Sequence, residues 1–276
     1  MLKAFGGPVG TWVTAGVSVW VAAGALVLLP PTNLISGKAQ AGDLKIGAIG
    51  MVRPKYEGSK DYEVIGAPIV YPVYSDGAGG AFSFNGIDDI RFRLLDNHGF
   101  EAGVLGGYAF GRDQDDGRLL RGLGDVDDGF VAGGYVGFRS GIMLFDVSYH
   151  RIVSGDTGGF FRIGAAAKQH IAPNVELKAR VGATYADNDY MDNYFGVSPT
   201  QSARSRAGLG VYDSEAGFKD VHVYLGMAYD IDQQWSVLAG VGYKRLIGDA
   251  ADSPVVETED QFFGSLGVTY RFSLSR

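Results

Sequence analysis

Four histidines and two aspartate-rich segments supply the side chains of this 276-residue sequence that are suited to catalysis or metal binding. Strand alternation places His150 and His170 on the inward faces of adjacent predicted strands but at opposite rims, so they do not form a pair. His222 has no Ser, Asp or Glu partner at a spacing typical of a catalytic set. We therefore interpret the histidines as interior polar residues, and we predict no enzyme activity, no metal site and no cofactor.

The aspartates are concentrated within residues 113–128 and residues 187–192. Carboxylate clusters can collect Ca²⁺ or Mg²⁺. Neither segment fits the twelve-residue calcium loop, because Gly117 stands at the wrong position and no glutamate closes the loop. We interpret both segments as solvated loops.

The composition excludes several classes of function. The chain has no cysteine, which rules out disulfides, thiolate metal sites and thiol nucleophiles. Its net charge of −7 makes nucleic acid a poor partner. Glycine is frequent, at 43 residues without a collagen-like period, which favours closely packed strands over helices.

The N-terminal segment has the three parts of an export signal. Lys3 precedes an apolar stretch over residues 12–29, and Ala39-Gln40-Ala41 forms a small-residue cleavage site. The alternative is an uncleaved anchor, since the apolar stretch approaches spanning length. We predict a signal peptide over residues 1–41, with Ala39 and Ala41 at the cleavage site, and a single mature domain over residues 42–276.

Processing after Ala41 has a direct test. We expect the protein purified from membranes to begin at Gly42, because small residues occupy both positions that signal peptidase reads before the cut. Mass spectrometry of the mature chain checks this expectation. A purified chain that still carries Trp12 would contradict it.

The mature sequence alternates with a period of two. In residues 175–185 the odd positions are apolar and the even positions carry all the charge, and the same period recurs over residues 221–231 and 262–274. Each of these strands therefore has one apolar and one polar face. We predict that Val181, Leu225 and Val268 face lipid, and that Arg180, His222 and Arg271 face inward.

Three features favour a membrane barrel over a soluble sandwich. Aromatic residues mark both ends of the apolar stripes, as with Phe130 and Phe138 on one strand and Trp235 and Tyr243 on another. Short turns alternate with long loops, and an export signal precedes the strands. We therefore predict an all-β, transmembrane, antiparallel up-and-down β-barrel of about twelve strands that closes on itself. The predicted strands are 44–53, 62–75, 80–86, 89–95, 99–111, 127–139, 142–153, 158–171, 174–186, 217–231, 234–247 and 261–273.

Two details of this barrel stay open at the level of sequence. The second strand contains Pro68 and Pro72, which lack ladder donors, so we predict that it is irregular or bulged. The interior is either filled by salt bridges or forms a narrow channel with a charge filter. The predicted inward-facing charges are Arg91, Arg93, Arg162, Lys178 and Arg180, opposite Glu101, Asp146 and Glu176.

The longest connection, residues 186–217, is the candidate functional element. It mixes aromatic residues with arginines, a combination that binding surfaces favour, although the same residues are also suited to plugging the lumen. The candidate binding residues are Tyr190, Tyr194, Phe195, Arg204, Arg206 and Tyr212.

Three stretches carry a resemblance to a known family: residues 54–59 (PKYEGS), residues 194–197 (YFGV) with Ser205 and Tyr212 after them, and residues 245–254 (RLIGDAADSP). In these stretches the sequence resembles the MipA/OmpV family of outer-membrane proteins, the MltA-interacting proteins among them. The resemblance implies an outer-membrane barrel in contact with lipid and lipopolysaccharide. It also implies a non-enzymatic scaffold that links a lytic transglycosylase to a peptidoglycan synthase, with a porin-like channel or an adhesin as alternatives.

Overall fold

Twelve strands dominate the molecule and form one antiparallel sheet. The computed structural model describes residues 19–22, 25–28, 41–74, 82–154 and 158–273. Two short strands, β1 (Val19–Ala22) and β2 (Ala25–Leu28), form a separate hairpin. The strands of the sheet are β3 (Ala41–Pro54), β4 (Tyr62–Tyr74), β5 (Phe82–Gly86), β6 (Asp89–Asn97), β7 (Phe100–Ala109), β8 (Gly129–Ser140), β9 (Met143–Ile152), β10 (Gly159–Ala172), β11 (Val175–Ala186), β12 (Gly217–Asp230), β13 (Trp235–Leu246) and β14 (Asp260–Ser273). The helices are α1 (Asn188–Phe195), α2 (Pro199–Arg204) and α3 (Asp249–Asp252).

The sheet confirms the predicted antiparallel architecture and its strand positions. Strands that are neighbours in sequence pair with each other, except β4 with β5, and β14 returns to pair with β3, so the first and last strands of the sheet meet in the ladder. Apart from β5, the strands of the sheet have 9 to 14 residues and are long enough to cross the apolar layer of an outer membrane. No helix in the described part of the chain is long and apolar enough to cross a membrane.

Closure differs from the sequence prediction. The sheet order begins at β4 and ends at β5, and no ladder joins these two strands among the described residues. Their edges nevertheless approach, because the rings of Tyr71 and Phe82 stack at 6.2 Å. The sheet is thus curled into a barrel whose last seam is bridged by side chains. The strand β2, from the segment predicted to be removed, lies beside β4.

The prolines of β4 account for this edge. Contrary to the prediction of an irregular strand, β4 pairs with β3 through Pro68 and Pro72 without a shift, and the only irregularity lies near Ala41 and Asp43. Because the prolines are four residues apart, their missing N–H donors fall on the same side of the strand. Proline is tolerated at such positions on an edge strand.

The two faces of the sheet follow the predicted alternation. Outward side chains in the middle of the strands are apolar and exposed, as expected for contact with lipid, and inward side chains are polar and mostly covered. The predicted facing is confirmed for outward Val181, Leu225 and Val268 and for inward Arg180, His222 and Arg271.

Aromatic pairs form a girdle at each end of the apolar band. They join neighbouring strands through tilted or edge-to-face contacts, which contribute to stability beyond the area that they bury. One girdle contains Phe100–Phe138 and Trp235–Tyr270, and the other contains Tyr108–Phe130, Tyr149–Phe161, Tyr185–Phe218 and Tyr243–Phe262.

Long loops occupy one rim and tight turns the other. We call the rim with the long loops the outer rim and the other the periplasmic rim, following the rule for bacterial barrels. The turn at His98 and Gly99 has positive φ at both residues, 49° and 86°, which matches the right-handed twist of the flanking strands. The loops of the outer rim carry the three helices.

Candidate functional site

A short hairpin folds into the lumen. Strand β5 has only 5 residues, and its turn to β6 at residues 87–88 lies beside Tyr108, whose N–H donates to the Ile87 oxygen at 3.0 Å. Lys178 of β11 donates to Asn85 at 2.5 Å, although half of the sheet order separates β5 from β11. Arg162 of β10 donates to the Asp88 carboxylate at 2.6 Å. These contacts reach across the barrel, so the hairpin obstructs the lumen.

An ion network surrounds the base of this hairpin. Asp146 has a fully buried side chain and accepts two hydrogen bonds from Arg180, at 2.7 and 2.8 Å, and one from Arg91 at 3.2 Å. Arg91 also pairs with Asp89 of the hairpin at 2.7 Å. A water-filled pore would leave such side chains wet, so their burial shows that the lumen is closed here.

The remaining charges predicted to face inward are paired as well. Arg93 lies 3.8 Å from Glu101. Near the periplasmic rim, Glu176 pairs with Lys168 at 2.9 Å. Most of the opposite charges that the sequence places inside the barrel thus meet as ion pairs, whereas Lys178 donates to the neutral Asn85.

The buried histidine belongs to the same network. His150 lies between Ser148 Oγ, 2.9 Å from Nε2, and the backbone oxygen of Asp88, 3.2 Å from Nδ1. A serine beside a histidine is a catalytic motif, but both side chains are fully buried in this conformation, and the third partner is a backbone carbonyl. His170 lies at the periplasmic rim as predicted, exposed beside Glu176.

Four loops close the outer mouth above the network. They are residues 55–61, 110–128, 187–216 and 247–259, and we call this assembly the loop cap. Apolar side chains from all four loops meet in one buried cluster, which shields them from water. The cluster contains Tyr56, Leu120, Leu123, Val197 and Val255.

Helix α1 lies in the mouth of the barrel. Asp187 caps its N-terminus by accepting the Tyr190 N–H at 2.9 Å, and it also accepts the Gly159 N–H at 2.8 Å, which ties the helix to β10. The buried face of the helix packs against the barrel wall and α3. This second cluster contains Tyr190, Met191, Tyr194 and Phe195 together with Leu105, Val131, Tyr135, Ile152, Phe160, Ala186, Leu246 and Ala250.

One carboxylate ties two loops to the wall. Glu57, from the first loop, accepts hydrogen bonds from Lys219 and Lys244 at 2.7 Å each and from the Tyr190 hydroxyl at 3.1 Å. Burial alone would raise the pKa of the Glu57 carboxyl, but Lys219 and Lys244 lower that pKa to about 2. Glu57 is therefore ionised at neutral and mildly acidic pH, and we call this contact the Glu57 latch.

Asp220 supports the latch from below. Its carboxylate lies 3.0 Å from Lys219 Nζ, accepts the Thr184 hydroxyl at 3.0 Å and is 2.9 Å from His222 Nδ1. His222 thus has an acidic partner that sequence spacing does not reveal as a catalytic set, and its role in the structure is to complete the latch network.

The six residues predicted as a binding surface separate into two groups. Tyr190, Tyr194 and Phe195 are buried in the mouth, so this part of the segment is a plug. Arg204 and Arg206 are exposed, and Tyr212 is half-buried with its hydroxyl donating to the Asp249 oxygen at 2.8 Å. Only the second group is available on the outer surface.

The predicted cleavage site lies at the margin of the described residues. Ala39 lies outside them, and Ala41 is the first residue of β3. Cleavage after Ala41 would leave the rest of β3 in its ladder with β14, which begins at Asp43.

Aspartates of the loop cap accept hydrogen bonds from backbone N–H groups. Asp116 and Asp125 accept backbone N–H groups at 2.9 and 2.8 Å within the second loop, and Asp128 accepts the Gly111 N–H at 2.7 Å. Across the part of the chain that the structure describes, no group of three or more His, Asp or Glu residues is arranged to hold a metal ion.

Sequence reasoning missed the latch and one buried arginine. Glu57 lies within the first stretch that carries the family resemblance, so that stretch was a signal for it. Arg112 is one of three arginines in an acidic loop, and no local pattern distinguishes it from a solvated side chain. Its burial depends on loops that are distant in sequence.

Comparisons with known proteins agree with this architecture. The family model described as "MltA-interacting protein MipA" matches residues 46–272. Among solved structures, the chain is similar to the NanC porin, with a TM-score of 0.38 and 11% identity, over 83% of this chain and 99% of that one. It is also similar to the outer membrane channel DcaP of Acinetobacter baumannii, with a TM-score of 0.37 and 11% identity, over 87% and 100% of the two chains. At these TM-scores, neither similarity indicates a function.

Curated relatives come from several Gram-negative bacteria. The chain is 31% identical over 98 residues to the putative outer membrane protein YiaT of Escherichia coli K12, covering 36% of this chain and 39% of YiaT. It is 32% identical over 92 residues to the MltA-interacting protein of the same strain, covering 33% and 36%. The chain thus matches under two fifths of the length of these relatives. The family model covers nearly all of the barrel, and the relatives are named as outer-membrane proteins, so this chain is an outer-membrane β-barrel that belongs to the MipA family.

Proposed function

We propose that this protein is a non-enzymatic, closed barrel that acts by binding other proteins at its periplasmic rim. The observation that carries the proposal is the double closure of the lumen, by the mid-height ion network around Asp146 and by the loop cap above it. A solute channel needs a continuous wet path, and the resting structure offers none at Asp146. Binding at a rim needs no such path.

The partners that we propose are enzymes of peptidoglycan turnover. One relative bears the name MltA-interacting protein, which supports a lytic transglycosylase as the first candidate and a peptidoglycan synthase as the second. Peptidoglycan lies on the periplasmic side of the outer membrane, so these enzymes reach only the periplasmic turns. The loop cap, with Arg204 and Arg206, faces the other side, where lipopolysaccharide is the partner.

Exposed apolar side chains mark this rim. Ile142 lies in the turn between β8 and β9, Ile231 follows β12, and both are about half exposed. Apolar groups of this kind contribute to protein interfaces when polar groups surround them.

A capture experiment tests the proposal. We expect the detergent-solubilised protein to retain a lytic transglycosylase from the same membranes. The double variant Ile142→Asp, Ile231→Asp should lose most of this capture, because binding would then require two charged carboxylates to be desolvated in the interface. The matched control is Val211→Asp in the outer loop, which should capture normally. Heat-modifiable mobility on gels shows that each variant is folded. Undiminished capture by the rim variant would contradict the proposed surface.

Conductance tests the alternative of a small-solute channel. In planar bilayers we expect the intact protein to show no stable open state, because the ion network stays closed even if the loops move. We also expect a variant with residues 190–213 replaced by a Gly-Ser linker to insert normally, since the strand ladders lie below the loop. Stable single-channel currents from the intact protein would favour a channel over a closed scaffold.

A further inference from the structure

Arg112 is a buried cation that has no hydrogen-bond partner among the residues that the structure describes. It follows β7 in the second outer loop, where its backbone pairs with that of Val126 at 2.9 and 2.8 Å. Only 3% of the residue is exposed. None of its three side-chain nitrogens has a hydrogen-bond partner among the described residues.

A buried guanidinium with unpaired donors is energetically unfavourable unless a ligand accepts its hydrogen bonds. A guanidinium has five N–H donors, and buried polar groups in folded proteins are almost always paired. Burial lowers the pKa of Arg112 to about 10, partly offset by Tyr56 and Tyr194, so the side chain is still charged at neutral pH. The protein therefore keeps a positive charge with unused donors inside the loop cap.

Three carboxylates of the loop cap have other partners. Glu57 is bound by the lysines of the latch. Glu257 pairs with Lys60 at 2.9 Å, and Asp128 accepts the Gly111 N–H. No ion pair of Arg112 with any of them is formed in the described structure.

A second arginine adds positive charge to the same place. Arg53 lies with its guanidinium 3.8 Å from the ring centre of Phe110, two residues before Arg112. Its Nη2 pairs with Glu63, but its Nε is also buried without a partner. The Tyr194 hydroxyl donates to the Phe110 oxygen at 3.1 Å. Burial raises the pKa of this hydroxyl, and the positive charges of Arg112 and Arg53 both oppose that rise, so both cations act on the same group.

We propose that Arg112 is the anchor of an oxyanion-binding site beneath the loop cap, with Arg53, which stacks on Phe110, as a further positive charge. The forked donors of a guanidinium match the oxygens of phosphate or carboxylate. In the closed structure no water-sized space adjoins the side-chain nitrogens of Arg112, so the occupant enters only when the loops of the cap part, and it is a small free oxyanion and not the phosphate of a bulky lipid headgroup. This site is independent of the proposed partner binding at the opposite rim.

Phosphate binding to refolded protein tests the site. The full mature chain is refolded in detergent without lipopolysaccharide, and inorganic phosphate is titrated at constant ionic strength set with chloride. We expect the unfolding temperature to rise with phosphate concentration, because a ligand that binds only the folded state stabilises it. We also expect a bound signal in ³¹P NMR. Acetate in place of phosphate shows whether a carboxylate is accepted, and purified lipopolysaccharide should give no shift of its own.

Variants separate this site from general screening of charge. Arg112→Met should abolish the phosphate effect, while Arg118→Met, on the exposed part of the same loop, should keep it. If Arg112→Met does not fold, Arg112→Lys provides the test, since it keeps the charge but loses the fork and should bind about tenfold more weakly or worse. Three results would each overturn the proposal. The first is that phosphate has no effect on the unmodified protein, which would mean that Arg112 is only hydrated. The other two are a phosphate effect that survives Arg112→Met and a response to lipopolysaccharide alone.

Discussion

Replacing Asp146 with alanine is expected to destabilise the barrel by about 3–5 kcal/mol, the cost of removing one partner from a buried ion network. The Asp146 side chain is 0% exposed, and it neutralises Arg91 and Arg180, which are themselves almost fully covered. The substitution leaves two guanidinium groups competing for Asp89. Urea unfolding of the protein in lipid vesicles, followed by tryptophan fluorescence and gel mobility, measures the change.

A matched substitution at the surface isolates the effect of burial. Asp96 also pairs with an arginine, Arg93 at 2.8 Å, but its side chain is 52% exposed. We expect Asp96→Ala to cost about 0–1 kcal/mol, as for other exposed ion pairs. Adding Arg180→Met to Asp146→Ala should recover part of the loss by removing one unpaired charge. Equal effects of Asp146→Ala and Asp96→Ala would mean that the lumen is wet at Asp146.

Replacing Val181 with arginine is expected to destabilise the inserted protein by about 2–4 kcal/mol, the cost of a cation facing lipid near mid-membrane. Val181 is 55% exposed on the outer face of β11 and pairs with Ala165 and Val223 in the centre of neighbouring strands. The aromatic girdles lie several residues away on both sides. Equilibrium unfolding in vesicles measures the change.

The control for this substitution is Val211→Arg. Val211 is equally open, at 59% exposure, but it lies in the third outer loop, beyond the strands. The same change there meets water, so we expect less than about 0.5 kcal/mol. If Val181→Arg were as mild as Val211→Arg, the outward face of β11 would not contact lipid, and the register of the barrel would be wrong.

The structure also changes the expectation for the neighbouring arginine. Sequence alone predicts that Arg180→Ala destabilises the barrel less than a charge introduced on the lipid face, unless the substitution leaves a buried charge partner without its arginine. That exception applies, because the partner is the fully buried Asp146. Arg91 remains to neutralise Asp146, so the loss should be smaller than for Asp146→Ala.

The closed lumen and the loop cap divide the molecule by role. The outer half contains the Glu57 latch and the proposed Arg112 site. The periplasmic half has short turns and leaves side chains such as Ile142 and Ile231 exposed. A closed barrel with a free periplasmic rim is consistent with a protein that anchors periplasmic partners to the membrane.

The sequence alone determined the strands and their facing. A period of two is a local property, so alternation in residues 175–185 is sufficient to identify β11 and to place Val181 outside and Arg180 inside. Turn residues are local as well, and the turn at His98 and Gly99 lies at the predicted boundary between the strands 89–95 and 99–111. The aromatic ends of the stripes likewise predicted both girdles.

Only the tertiary structure decided what fills the barrel. The contacts that close it join residues far apart in the chain, such as Lys178 with Asn85 and Glu57 with Lys219, and no periodicity encodes such pairs. For the same reason alternation could not reveal that no ladder joins β4 and β5 in the part of the chain that the structure describes. By their residue type, Tyr190 and Tyr194 are equally suited to a docking surface and to a plug. Their burial in the mouth of the barrel, where they are shielded from water, indicates a plug.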